Sequence, residues 1–364
     1  MVGSHPTIGA VRASAYVIPT DALEADGTLT WTSTTLVVAE VEAGGKTGLG
    51  YTYSDVAAAK LIEKKLAEAI KGIDAFAIPK AMGAMLHEIR NLGRPGLVAT
   101  AISAVDAALW DLKGRLLGQP VVTLLGAAHD AVPVYGSGGF TSYSLDRLKE
   151  QLGGWASQGM HWVKMKVGSD PPADPQRVAA AREAIGETQL FVDANGAYDR
   201  KQALAMADCF AGMGVVYFEE PVSSDDLEGL RLLRDRGPAG MRIAAGEYGY
   251  DLFYFRRMLE AQAVDVLQAD ASRCLGITGF LQVDALCAAR SLPLSAHCAP
   301  SLHRHAALAA SRFWNLEWFH DHVRIEHMLF DGAPQIERGM VRADLSRPGL
   351  GLDFKHADAA RFAA

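Results

Sequence analysis

The sequence predicts an α/β fold: a parallel barrel preceded by an antiparallel α+β unit. Three observations carry this. From about Val132 onward, eight short apolar runs alternate with helical segments. Before that point the chain reads as three strands followed by three helical stretches. Chemistry-bearing polar residues end most of the eight runs, each about one strand–loop–helix–loop unit after the last, so a closed barrel would gather them at one rim.

In the first unit, Val11–Pro19, Thr34–Glu42 and Lys46–Tyr53 read as strands, with Glu42–Gly45 as a hairpin turn. Helices are expected over 55–70, 78–92 and 99–117. The last carries Ile102, Val105, Ala108, Leu109 and Leu112 at helical spacing and stops at Gly118-Gln-Pro120. The barrel runs are Val132–Tyr135, Trp162–Val167, Leu190–Asp193, Val216–Glu219, Arg242–Gly246, Val264–Gln268, Pro293–Ala296 and Trp314–Glu317. A doubly wound open sheet is the rival, but no G-x-G-x-x-G follows an early strand. From about Arg324 the chain reads as irregular and is expected to return to the N-terminal unit. The opening MVGSHPT receives no structural role.

The 364 residues are 49% apolar and 21% charged, enough for a barrel plus a second domain and too apolar for disorder. A net charge of −7 argues against nucleic acid or an anionic membrane as the main partner. Four cysteines form no CxxC pair, and neither a signal peptide nor a bilayer-spanning run is evident, so a reducing cytoplasm is the expected location.

Trp162-Val-Lys-Met-Lys-Val-Gly168 places two lysines on one face of a buried strand, because successive side chains alternate. Asp193, Glu219 and Glu247 end or follow the next three runs. Their convergence would be intolerable without a cation, and an all-carboxylate set suits Mg²⁺ rather than zinc. Each ammonium of Lys164 and Lys166 disfavours charge on the other, so one pKa is expected to fall and supply a neutral amine. Lys166, nearer the strand end, is the expected base; Lys164 is the modulator and a contact for an anionic substrate oxygen. Asp270 and His297 follow adjacent runs and suit a carboxylate–imidazole pair. Glu317 completes the rim as a neutral acid donating to a developing oxyanion. Together these groups suit removal of a proton alpha to a carboxylate through an enediolate.

The set KMK, VDAN, FEEP, AAGE, QAD, SAH and NLE resembles the mandelate racemase subgroup of the enolase superfamily over nearly the whole chain, and SAVDAALWDLKG resembles the family's linking helix. The resemblance implies a modified TIM barrel, (β/α)7β, with an α+β N-terminal capping domain completed by the C-terminal tail: capping domain 1–128, barrel 129–323, returning segment 324–364. It implies Mg²⁺ on Asp193, Glu219 and Glu247, acid/base roles for Lys166 and the His297–Asp270 pair, an electrophilic role for Glu317, and support from Asn195. No lysine follows the sixth run before Gly276, unlike the muconate cycloisomerase subgroup.

Specificity is expected from cap loops at 19–31, whose Asp21, Glu24 and Asp26 favour a polyhydroxy acid, and at 48–54, where Tyr53 is a candidate substrate contact. Arg273 either meets a distal substrate group or braces a loop. Glu220 is expected to turn away from the site, and His303, His305, His320 and His322 to hold no metal. The leading expectation is an acid-sugar (aldonate/aldarate) dehydratase acting on a small carboxylate, in a homo-oligomer. Alternatives are a racemase or epimerase, a cycloisomerase, and, from another class, a non-catalytic metal-dependent binding protein.

Overall fold

The computed structural model describes residues 5–364; the first four, part of MVGSHPT, lie outside the described residues. The rest of that stretch is tied down: Thr7 bridges Asp74, and Pro6 accepts from Ala75 N. The N-terminal sheet is β1 (Ala10–Ala25), β2 (Thr30–Ala43) and β3 (Lys46–Tyr53), antiparallel in that order. Helices α1 (Val56–Leu61), α2 (Ala67–Ile70), α3 (Ile78–Glu88), α4 (Leu97–Leu117) and α5 (Val121–Leu125) follow, with a π turn at Ile62–Leu66 between the first two.

Eight strands then alternate with helices. They are β4 (Val132–Gly138), β5 (Trp162–Lys166), β6 (Gln189–Asp193), β7 (Val215–Glu219), β8 (Arg242–Ala245), β9 (Val266–Ala269), β10 (Leu294–Ala296) and β11 (Phe313–Phe319). All pair in parallel in chain order, and β11 pairs β4 through Leu316–Val134 to Phe319–Ser137, which closes the barrel. The helices are α6 (Leu145–Ser157), α7 (Asp174–Ile185), α8 (Arg200–Ala211), α9 (Leu227–Arg236), α10 (Leu252–Glu260), α11 (Gly276–Ala289), α12 (Pro300–Ala309) and α13 (His320–Leu329). The architecture is the modified TIM barrel with an α+β cap.

Strand alternation explains the barrel interior. Val163, Met165 and Val167 face the helix layer, while Trp162 packs inward on Phe191 and Trp314. With Phe191 stacked on Tyr217 at 4.4 Å, these rings plug the barrel floor. Two residues further along β5, Lys164 lies above the plug, 5.2 Å from the Tyr135 ring centroid. The carboxyl ends of the strands carry polar groups because the aromatic layer beneath them has already filled the barrel.

Helix α4 ties the cap to the barrel. Gly48 and Gly50 let β3 lie directly on it; a Cβ there would overlap Ala108 O or Ala104 O. Its buried Ser103 Oγ accepts from Leu275 N and Gly276 N at 2.9 and 3.0 Å, and Asp106 accepts from Thr278 N and Oγ1, satisfying the first turn of α11. Asp111 accepts from Leu49 N at 2.7 Å and Leu350 N at 2.6 Å.

Three expectations are corrected. The loop expected at 19–31 is a hairpin: β1 runs on to Ala25 through a register shift between Pro19 and Glu24, so only the tip at 26–29 is a turn. Lys46–Tyr53 is the expected strand, β3, and is mostly buried, so the stretch at 48–54 is no cap loop. The chain is not irregular from Arg324, because α13 continues to Leu329 and position 324 falls inside it. Beyond it, β12 (Phe330–Asp331) pairs β14 (Asp353–Phe354), and β13 (Met340–Val341) pairs antiparallel with β4. The last residues bridge back to β1 at Tyr16 and Ala15.

Candidate active site

The rim gathers most of the residues expected there. Lys164 Nζ lies 2.7 Å from Glu219 Oε2, 2.8 Å from Glu317 Oε1 and 3.6 Å from Asp193 Oδ2. Lys166 Nζ lies 2.5 Å from Asp193 Oδ2 and donates to Asn195 Oδ1 at 3.1 Å; Asn195 N in turn donates to Asp193 Oδ1. Asp193, Glu219 and Glu247 bring carboxylate oxygens within 4.8 Å of one another, and all three are buried. Across the mouth, His297 Nδ1 meets Asp270 Oδ2 at 2.8 Å, and Nε2 lies 3.2 Å from Glu247 Oε2.

The protein's own charges work against two expected protonation states, the neutral lysine and the neutral Glu317. Burial works against both ammoniums, but Glu219 and Glu317 around Lys164, and Asp193 beside Lys166, outweigh it and the mutual repulsion, so both lysine pKa values are raised rather than lowered. Glu317 is drawn toward the carboxylate form by its neighbours. Burial favours protonation, yet Lys164 and His297 pull its pKa below the usual range, while Ser137 Oγ and Cys298 N donate to its two oxygens at 2.6 and 2.9 Å. Burial and Asp193 together push Glu219 up to about 8 despite Lys164.

The cluster fits a hard divalent cation. Glu219 Oε1 is buried without a hydrogen-bond partner, a costly condition that a cation relieves, and every donor is a carboxylate oxygen. The Asp270–His297 hydrogen bond fixes the ring, leaving Nε2 as the atom that faces the cluster.

Other candidates are placed differently. Tyr53 stacks on His322 with centroids 3.4 Å apart, and its hydroxyl lies near His322 O instead of reaching the lysines. Arg273 donates to Glu247 O and lies 3.6 Å from Asp270 Oδ2, so it braces the β8 and β9 loops. Glu220 does not turn away on its strand: it lies past the end of β7 at φ +39°, buried, and lines a cleft. That cleft, of about 830 Å³, is also lined by Thr28, Asn195, Tyr248, Tyr254 and Arg257, but not by Lys166 or His297. His303 and His305 are spent on backbone groups at Ala271, Ala299, Val122 and Leu350.

The hairpin at 19–31 closes over the mouth. Gly27 has no room for a Cβ against Val167 O and Ala194 O, and Thr141 donates to Ala25 O and Asp26 O. Its acids serve the protein itself. Asp26 caps the turn, Asp21 pairs His320 at 3.0 Å, and buried Glu24 accepts from Trp31 Nε1. Burial pushes Glu24 up to about 8. Trp31 packs on Phe140, so the hairpin's inner face is aromatic as well as polar. The acids therefore carry no information about the substrate.

Two rim residues escaped the sequence reading. Ser137 lies opposite Lys164 in the β4–β5 register, two residues past the expected run Val132–Tyr135. Cys298 follows His297 directly, its Sγ 3.2 Å from Nε2. Nothing in the sequence marks its left-handed backbone, φ +51°.

Residues 147–359 match the family described as enolase C-terminal domain-like, and residues 24–126 match the mandelate racemase / muconate lactonizing enzyme N-terminal domain. The chain belongs to this family, the mandelate racemase subgroup of the enolase superfamily. A mandelate racemase/muconate lactonizing enzyme-like protein from Rubrobacter xylanophilus is 55% identical, with a TM-score of 0.97, covering 99% of this chain and 100% of that one. The 3,6-anhydro-alpha-L-galactonate cycloisomerase of Streptomyces coelicolor is 35% identical over 95% of this chain and 97% of its own. The L-talarate/galactarate dehydratase of Salmonella typhimurium is 32% identical over 88% of this chain and 81% of its own. Its structure liganded with Mg and L-lyxarohydroxamate gives a TM-score of 0.88 at 29% identity, covering 99% and 94% of the two chains.

Proposed function

We propose that this protein is a Mg²⁺-dependent enzyme that removes the proton alpha to the carboxylate of an acid sugar and then expels the β-hydroxyl, a dehydratase of aldonates or aldarates. One observation carries the reading: a proton-transfer group touches each end of the carboxylate cluster, Lys166 at Asp193 and His297 at Glu247. Asp193, Glu219 and Glu247 would hold Mg²⁺, which as a Lewis acid stabilises the charge that develops on the substrate carboxylate.

The chain's own groups do the rest. With a cation on Asp193, the carboxylate charge that holds Lys166 as an ammonium would be cancelled, and as the neutral amine its Nζ takes the α-proton, oriented by Asn195 Oδ1. Lys164 holds an anionic substrate oxygen, with Glu317 and Ser137 keeping it aimed inward. His297 Nε2 delivers a proton to the departing oxygen, and Asp270 stabilises the imidazolium beforehand. The docked hairpin excludes water, which strengthens each of these interactions.

A second reading is a cycloisomerase, favoured by the full-length match to the Streptomyces coelicolor enzyme. The same α-proton is removed, but a ring oxygen departs and stays attached. Incubation with aldonic, aldaric and anhydro acids in D₂O with Mg²⁺ separates these readings. A keto acid formed with loss of water supports dehydration, and an isomeric product supports the cycloisomerase. Deuterium incorporation with inversion and no keto product refutes both in favour of a racemase. We also propose a homo-oligomer in a reducing cytoplasm, supported by exposed Leu23 and Leu29 on the hairpin and four unpaired cysteines. A monomer by light scattering would overturn the first of these.

A further inference from the structure

Beside the carboxylate cluster lies a second set of donors with different chemistry. His297 Nε2, Cys298 Sγ and Glu317 Oε2 belong to residues at most 6% exposed. Sγ is 3.2 Å from Nε2 and 3.5 Å from Oε2, and Nε2 is 3.9 Å from Oε2. A tetrahedral zinc with ordinary Zn–S, Zn–N and Zn–O bonds needs donor separations of about 3.3–3.6 Å. The set therefore matches a zinc site to within a few tenths of an ångström.

The outer groups match as well. A zinc-bound histidine usually gives its other ring N–H to a carboxylate, and His297 Nδ1 does so to Asp270 at 2.8 Å. Glu317 is held on its far oxygen by Ser137 and Lys164, leaving Oε2 toward the thiol. Three protein donors leave a fourth position open, and a thiolate–imidazole–carboxylate set prefers a thiophilic cation to Mg²⁺.

We propose that His297, Cys298 and Glu317 form a binding site for a thiophilic divalent cation, Zn²⁺ or Cd²⁺, separate from the all-carboxylate site. Binding releases the thiol proton, and any proton on Nε2, to solvent. An occupied site ties up Nε2, so under the proposed reaction the cation is an inhibitor that added Mg²⁺ does not displace. That consequence alone rests on the proposed reaction; occupancy does not.

The test uses full-length protein saturated with Mg²⁺ and titrated with Co²⁺ as a spectroscopic probe. One equivalent should bind with a thiolate-to-metal charge-transfer band that Zn²⁺ then abolishes. Cys298→Ser should lose the band and weaken Zn²⁺ binding by more than about 100-fold, the upper range for losing only an outer-shell partner. Asp270→Asn should keep the band and weaken binding by about 10–100-fold. No band in the wild type, or an undiminished band in Cys298→Ser, overturns the site. Should Cys298→Ser fail to fold, zinc-edge anomalous scattering from wild-type crystals soaked in Mg²⁺ and Zn²⁺ decides. A peak bonded to Nε2, Sγ and Oε2 supports the site, and a peak only among Asp193, Glu219 and Glu247 overturns it. Failure of every acid to turn over would refute the dehydratase and leave these readouts untouched.

Discussion

Lys164→Met tests how the buried charges are balanced. The ammonium is 1% exposed and sits 2.7 Å from Glu219 and 2.8 Å from Glu317. At an effective dielectric near 20, each contact is a gross attraction of about 6 kcal/mol. Desolvation of the ammonium offsets several kcal/mol of that, and removing one partner of a buried pair costs about 3–5 kcal/mol net. Methionine keeps most of the apolar volume, so the loss is mainly electrostatic. In EDTA, urea unfolding should show a loss of about 3–5 kcal/mol. In saturating Mg²⁺ the loss should shrink by half or more, because a cation between Asp193, Glu219 and Glu247 replaces the missing charge and no longer meets the repulsion of Lys164. Calorimetric titration should accordingly show tighter Mg²⁺ binding by the variant. A loss under about 1 kcal/mol in EDTA, or the same loss with and without Mg²⁺, would refute the reasoning.

Asp270→Asn should lower turnover by about 10²–10⁴-fold through loss of His297 as a proton-transfer group, while calorimetric Mg²⁺ affinity stays unchanged. Gly50→Ala should destabilise the fold by at least about 1–3 kcal/mol in urea, because its Cβ meets the α4 backbone at Ala104 and Ala108. Gly83→Ala, in α3 with nothing near its Cβ, should instead stabilise by about 0.4–1 kcal/mol. Burial raises Asp106 from 3.8 to about 7, so the native state keeps a proton that the unfolded chain has released between those values; the stability from this group is present below pH 3.8 and lost as pH rises through 7. Asp106→Asn removes this dependence, so its unfolding free energy relative to wild type should climb by up to about 4 kcal/mol from pH 4 to 8 in urea titrations, and a flat difference would refute the assignment.

Period-two alternation made much of the rim legible. Trp162, Lys164 and Lys166 share a face whatever the rest of the chain does, and Asp193, Glu219 and Glu247 recur at the same point in successive units. Closure of β4 on β11 then needs only the count of eight. Charge states were not legible, because they depend on which oxygen approaches which nitrogen: the lysines repel each other as expected, but the carboxylates are closer and dominate. Segments whose burial comes from tertiary contact also escaped. Pro19 and three acids made the hairpin look like a solvated loop, yet the bulge lets Glu24 turn inward onto Trp31. Gly136 looked like the end of a strand but makes room for the Trp155 ring, so β4 runs on and delivers Ser137. Cys298 carried no signal beyond the lack of a CxxC partner, because its left-handed backbone is what turns it onto His297.

Face-resolved deuterium exchange at the α-carbon of a bound aldonic or aldaric acid, followed by NMR in D₂O with Mg²⁺, tests the central claim most directly. The account predicts that Lys166→Met abolishes exchange, that His297→Asn keeps exchange on the same face while loss of water stops, and that EDTA abolishes exchange in every form. Exchange that survives in Lys166→Met, that appears on the opposite face, or that needs no divalent cation would contradict it.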